Sequence, residues 1–199
     1  MKTLKFENKE NWFDARIGKI TGSRVKSIIG KTGKFNKGFY ELIAERIALP
    51  ADEENVMERG VRLEEEAIKE FEKETKKKVD TSLILWISDE NENIAVSPDG
   101  VIGKTEAIEV KCLNSASHIE AFLTNEVPNE YEEQILQYFI VNPKLKTLYF
   151  GFYDPRIKAK PFFYFTINRK DKEDEIEKYR LLELEVLKRV EEIVLKLTF

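Results

Sequence analysis

One short segment, Glu109-Val110-Lys111 within the apolar stretch Ala107–Cys112, carries residues able to work together chemically. Side chains on a strand alternate between faces, so Glu109 and Lys111 share one face while Ile108, Val110 and Cys112 share the other. That pattern also describes an ordinary half-exposed strand. The same Glu-x-Lys spacing recurs at Glu7/Lys9 and Glu74/Lys76, so the triplet alone carries nothing. The preceding turn changes the weighing. Asp99 lies in Ser97-Pro98-Asp99-Gly100, a turn signal that leads through a short hairpin-like segment into the 109–111 strand. Strands about 4.8 Å apart bring an acid at the end of one toward acids on the next. Two carboxylates plus the Val110 carbonyl offer the hard oxygen donors that Mg²⁺ takes. Lys111 beside them could orient or activate a water, or stabilise charge on a phosphate. Without Glu109, Asp99 reads as a turn residue.

Glu64 is an independent observation. On a helical wheel of residues 60–72, Gly60, Val61, Leu63, Ala67, Ile68 and Phe71 cluster on one side, and Glu64 falls inside that apolar arc. A buried unpaired carboxylate is costly and needs a partner. A metal ion is one; water or an arginine at the stripe's edge is the other, and the wheel does not choose between them.

Other candidates weaken on inspection. His118 is the sole histidine and Cys112 the sole cysteine. His118 is expected to face solvent on a helix, and Cys112 to be a small apolar packing residue. A disulfide within the chain and a four-cysteine metal site are excluded. The aromatic-rich stretches Tyr149–Tyr153 and Phe162–Phe165 read as sheet core rather than as base-stacking platforms.

The elements needed to position these residues follow from periodicity. Helices are expected near 21–30, over Phe39–Leu49 ending before Pro50, from about Asn55 to Lys77, near 115–124 and 129–141, and from about Asp171 to Leu197. Gly33–Gly38 reads as a loop, and Lys76-Lys77-Lys78 as a solvated helix end. Strands are expected at Ser82–Ile87, Asn93–Val96, Ala107–Cys112, Thr147–Tyr153 and Phe162–Ile167. This order gives an α/β domain with a central mixed sheet flanked by helices.

The chain of 199 residues suits one domain, 1–199. It carries 33 basic and 37 acidic residues, a net charge of −4, so it can bind DNA only through a local basic patch assisted by metal ions. No run of about 18 apolar residues predicts a membrane span, and the N-terminus lacks the apolar core of a signal peptide. A cytoplasmic location is the default expectation.

These residues sit in a larger pattern. The chain resembles the phage lambda-type 5′→3′ exonucleases, the YqaJ-like viral recombinase branch of the PD-(D/E)xK nuclease superfamily. Trp12–Ser23 is similar to that family's W-x-x-x-R-x-G-x-I-T-x-S opening, and Gly60–Glu64 to its G-x-x-x-E helix. Ser97–Gly100 with Glu109–Cys112 resembles its S-P-D-G and E-x-K-C core, and Tyr131–Ile135 its Y-x-x-Q-[VI] helix. Phe152–Arg156 resembles a late strand and turn. Leu113 and Leu136 stand where the family often has Pro and a second Gln.

The resemblance implies a restriction-endonuclease-like core. It implies that Glu64, Asp99, Glu109 and the Val110 carbonyl hold one or two Mg²⁺ ions, with Mn²⁺ as a substitute, and that Lys111 is the catalytic lysine. Arg16, Ser23, Ser97 and Gln134 fall where the family binds the 5′-terminal phosphate. The leading expectation is a Mg²⁺-dependent exonuclease digesting linear double-stranded DNA 5′→3′ in phage-type recombination. A single-strand annealing protein as partner and a homo-trimer are implied by the same resemblance. The alternatives are a structure-specific or restriction-like endonuclease of the same superfamily, and a catalytically silent DNA-binding module.

Overall fold

Strands of Leu, Ile, Val, Phe and Tyr with few polar interruptions need cover on both faces, and the chain supplies it with helices. The structure, a computed structural model, describes Asn11, residues 37–47 and residues 56–197. The chain divides into two compact units. One comprises residues 1–55, 113–125 and 154–161, and the other residues 56–112, 126–153 and 162–199.

In the first unit, helix α1 (Lys37–Ile47) packs against α3 (Ser115–Thr124). Lys37 and Gly38 are helical, so the helix begins earlier than the loop expected over Gly33–Gly38. Helix α3 is bounded as its sequence suggests. The Asn114 side chain accepts from the Ser117 N–H at its start, and Asn125 adopts the left-handed conformation at its end. Asp154, fully buried, accepts from the Ser115 hydroxyl at 2.5 Å and from the Arg156 guanidinium at 2.7 and 3.0 Å. Burial alone would favour the neutral acid, but the bonds from Arg156 and Ser115 outweigh it and hold the carboxyl below its ordinary value. His118 is not solvent-facing as expected. It is 1% exposed, and its Nε2–H donates to the Lys160 carbonyl at 2.9 Å. Burial pushes its pKa down, so this histidine is a neutral part of the packing.

The second unit is built on a four-stranded mixed sheet in the order β3-β4-β5-β6: β3 (Gly100–Ile102), β4 (Glu106–Lys111), β5 (Thr147–Tyr153) and β6 (Phe162–Asn168). The β4–β5 pair is parallel and the others antiparallel. A parallel pair requires a crossover, which here contains α3 and α4 (Glu132–Val141). Two further strands, β1 (Trp86–Ile87) and β2 (Ala95–Val96), form a separate antiparallel ladder shorter than the Ser82–Ile87 and Asn93–Val96 stretches.

Helix α2 (Val56–Thr75) lays Leu63, Ala67, Ile68 and Phe71 on one face of the sheet, against Ile108, Val110, Tyr149 and Phe162. Cys112 packs at the edge of this cluster, as a small apolar residue would. Lys77 is more than a solvated helix end, since its ammonium bonds Glu106 at 2.6 Å and lies 5.4 Å from the Tyr149 ring centroid. Phe150, Phe152 and Glu109 occupy the opposite face, where the Tyr131 ring packs 5.4 Å from Phe150. Arg169 holds the C-terminal end of α4 by donating to the carbonyls of Phe139, Asn142 and Leu145. The long helix α5 (Glu173–Leu197) packs on α4. No described helix is long and apolar enough to cross a membrane.

Gly100 opens β3 rather than serving only as a turn residue, and close approach dictates its identity. A Cβ there would stand 2.2 Å from Val79 Cγ1 and 3.0 Å from Ile108 Cγ2. Gly100→Ala is therefore expected to destabilise the fold by about 1–3 kcal/mol. Thermal unfolding would register this as a Tm lowered by several degrees, and an unchanged Tm would contradict the packing described here.

Candidate active site

The site is assembled from one strand, the loop before its hairpin partner and two helices. Ala107 and Glu109 project to one side of β4 while Ile108 and Val110 enter the core under α2. Glu109 is only 4% exposed, so the ordinary half-exposed strand is excluded. A carboxylate so placed needs donors, and it has three. Lys111 Nζ donates to Oε1 at 2.6 Å and Gln134 Nε2 donates to the same oxygen at 2.8 Å. The Tyr138 hydroxyl contacts Oε2. Gln134 and Tyr138 are one helical turn apart on α4, so both reach the strand from the same helix face. The Lys111 ammonium also lies 5.5 Å from the Tyr131 ring centroid, a position in which the ring face attracts a cation.

Asp99 immediately precedes β3, and its Oδ2 accepts from the Val110 N–H at 2.7 Å. The N–H and C=O of a strand residue point to the same edge, so the Val110 carbonyl faces the Asp99 side as well. Burial, followed by the Glu109 charge, pushes the Asp99 carboxyl up to about 7, although the Val110 bond favours ionisation. Glu64, half-buried on α2, is raised by burial and then by Glu109, with Lys111 pulling it down. Glu64, Asp99, Glu109 and Lys111 thus lie within electrostatic reach of one another although they come from distant parts of the sequence.

This donor set suits a divalent cation. Its groups are oxygen ligands of the kind Mg²⁺ takes, and two of the three carboxyls, Glu64 and Asp99, are pushed up by burial and then by the Glu109 charge. Among the described residues, however, no three His, Cys, Asp or Glu side chains stand as a ready metal cluster. Glu109 itself is held by Lys111, Gln134 and Tyr138.

Of the residues expected at a phosphate pocket, Gln134 reaches the carboxylates. Ser97 borders them, and its carbonyl lies 3.0 Å from the Tyr138 hydroxyl. The Ser97 hydroxyl donates to the Ile84 carbonyl at 2.6 Å. Arg16 and Ser23, with the rest of the Trp12–Ser23 motif and the helix expected near 21–30, lie outside the described residues. In the sequence Tyr138 belongs to the apolar stripe Tyr131, Ile135 and Tyr138 that Gln134 flanks. Its spacing of four from Gln134 was the available signal.

The sequence profile of the YqaJ-like viral recombinase domain matches residues 11–144. The chain belongs to this family. Every residue of the carboxylate cluster lies within the span matched by the YqaJ-like profile, as do Lys111, Gln134 and Tyr138. Two solved structures of an alkaline exonuclease from Laribacter hongkongensis are similar to this chain, one of them in complex with dAMP. Identity is 31% and 32%, each match covers 94% of this chain and 99% of that one, and the TM-score is 0.58 for both. A search of curated proteins found no match. This YqaJ-like chain is a deoxyribonuclease with the PD-(D/E)xK-type fold of those exonucleases.

The raised Asp99 pKa has a consequence for stability. A carboxyl whose folded pKa exceeds its unfolded value favours folding fully only below the unfolded value, about 3.9, and that contribution is lost as pH rises toward about 7. Asp99→Asn is expected to stabilise the metal-free protein at pH 8 by an amount on the order of 1–3 kcal/mol, with the gain disappearing near pH 4. Tm measured across that range in a chelator checks it, and a variant destabilised at pH 8 would contradict the unbalanced charge.

Proposed function

We propose that this enzyme is a Mg²⁺-dependent exonuclease that digests linear duplex DNA 5′→3′ by phosphodiester hydrolysis, in a phage-type recombination system. The observation that supports this best is the gathering of Glu64 and Asp99 around Glu109, with Lys111 the offsetting cation among the described site residues. Glu64, Asp99, Glu109 and the Val110 carbonyl would hold one or two Mg²⁺ ions, for which Mn²⁺ can substitute. A divalent ion held there would supply a more acidic water and charge stabilisation for the phosphate.

The chain's own residues supply the rest. Lys111, held between Glu109 and the Tyr131 ring, is the cation placed to orient the attacking water or to meet the phosphate oxygens. By the family resemblance Arg16, Ser23, Ser97 and Gln134 would bind the 5′-terminal phosphate, and an arginine's planar fork suits such an anion. Gln134 uses one amide N–H on Glu109, so its second remains to point at DNA. The dAMP bound by the Laribacter hongkongensis exonuclease is a mononucleotide of the kind that stepwise DNA hydrolysis releases. A single-strand annealing protein would take up the exposed strand, and a homo-trimer around the duplex would keep an acidic protomer on its track. These events belong in the cytoplasm of the host cell.

The reading is tested by incubating linear and supercoiled forms of one plasmid with Mg²⁺ or with chelator. Linear duplex should disappear only with Mg²⁺ while the circle persists, and Lys111→Ala should slow digestion by about 10²–10⁴-fold. Linear ends bearing 5′-phosphate should be preferred over 5′-hydroxyl, with Arg16→Ala abolishing the preference. Cleavage of the circle would favour an endonuclease. Undiminished digestion by Lys111→Ala would remove the active-site assignment.

A further inference from the structure

The Tyr138 hydroxyl touches both arms of the candidate site. Its ring is fully buried and meets the Trp86 indole edge-on, with centroids 6.3 Å apart. Its oxygen lies against Glu109 Oε2 and 3.0 Å from the Ser97 carbonyl, two residues before Asp99. A phenylalanine would fill the same space without burying a hydroxyl, whose transfer from water is unfavourable unless it is bonded. The polar atom therefore has a purpose beyond packing. Gln134 and Lys111 fix one Glu109 oxygen, and neither touches the other. Without the phenol, that second oxygen could swing about the last side-chain torsion, which is broad for a glutamate.

We propose that Tyr138 is a positioning residue that sets the orientation of the Glu109 carboxylate beside the Ser97–Asp99 segment, so that the two acids present their oxygens to one divalent cation. This rests on the metal-binding role proposed above for Glu109 and Asp99. Tyr138 does not itself ligate the ion. It acts through Glu109, with its single proton directed to a carboxylate whose other oxygen has two protein donors, Lys111 and Gln134. Partners that orient metal ligands in this way typically contribute about 10–100-fold to metal affinity or activity.

The test is Mn²⁺ binding to the full-length protein without DNA, measured by calorimetry for wild type, Tyr138→Phe, Glu109→Gln and the double variant, together with Tm. Tyr138→Phe should keep the wild-type Tm to within a few degrees yet bind Mn²⁺ about 10–100-fold more weakly. Its nuclease rate should recover as Mg²⁺ is raised. Because Tyr138 acts through Glu109, adding Tyr138→Phe to Glu109→Gln should weaken binding no further. Wild-type Mn²⁺ affinity in Tyr138→Phe, with affinity lost in Glu109→Gln, overturns the positioning role and leaves the metal reading intact. Wild-type affinity in both variants overturns the metal reading itself. Additive losses in the double variant would mean that Tyr138 acts independently of Glu109, which also overturns the proposal.

Discussion

The Glu109 carboxylate is the constraint around which this site is organised. It is buried on a central strand of a sheet covered on both faces, where an isolated charge would be prohibitive. Lys111 satisfies it from the same strand, and Gln134 and Tyr138 from α4. The strand register and helix placement are thus set by one polar group as much as by the apolar core beside it. A half-satisfied buried network is worse than none, so the three donors are interdependent. Arg169, by binding the free carbonyls at the end of α4, holds the helix that carries two of them.

The electrostatics run in the opposite direction. Asp99 and Glu64 share the neighbourhood, and both carboxyls are pushed up, first by burial and then by the Glu109 charge. A protein stabilised for its own sake would not gather three acids around one lysine. Three acids near one lysine cost local stability, and the divalent cation proposed for this site would offset that cost. The chain's small net negative charge fits the proposed reading, in which DNA would be met by metal and local cations.

Much of this was legible in the sequence. The strands at Thr147–Tyr153 and Ala107–Cys112 and the helix at 115–124 stand close to where periodicity puts them, because their apolar faces match the period of the element. The ladder Trp86–Ile87 with Ala95–Val96 is shorter than its β-forming residues suggest, since propensity does not say which residues find a partner. His118 was misplaced because its burial depends on the Lys160 carbonyl, a contact 42 positions away that no local pattern encodes. Tyr138 was visible as a core residue. That its oxygen touches Glu109 required knowing that α4 lies over that face of β4. Glu64 was suspected from its position in an apolar arc, and its coupling to Glu109 became visible only with α2 in place.

The central claim is that Glu64, Asp99 and Glu109 share a divalent cation next to Lys111. Anomalous diffraction from crystals of the protein soaked in Mn²⁺ tests it most directly. The account predicts one or two strong peaks bounded by those carboxylates and the Val110 carbonyl, with the Glu109 oxygens turned toward the ion. Well-ordered carboxylates with no peak among them at saturating Mn²⁺, or peaks only elsewhere, would contradict it.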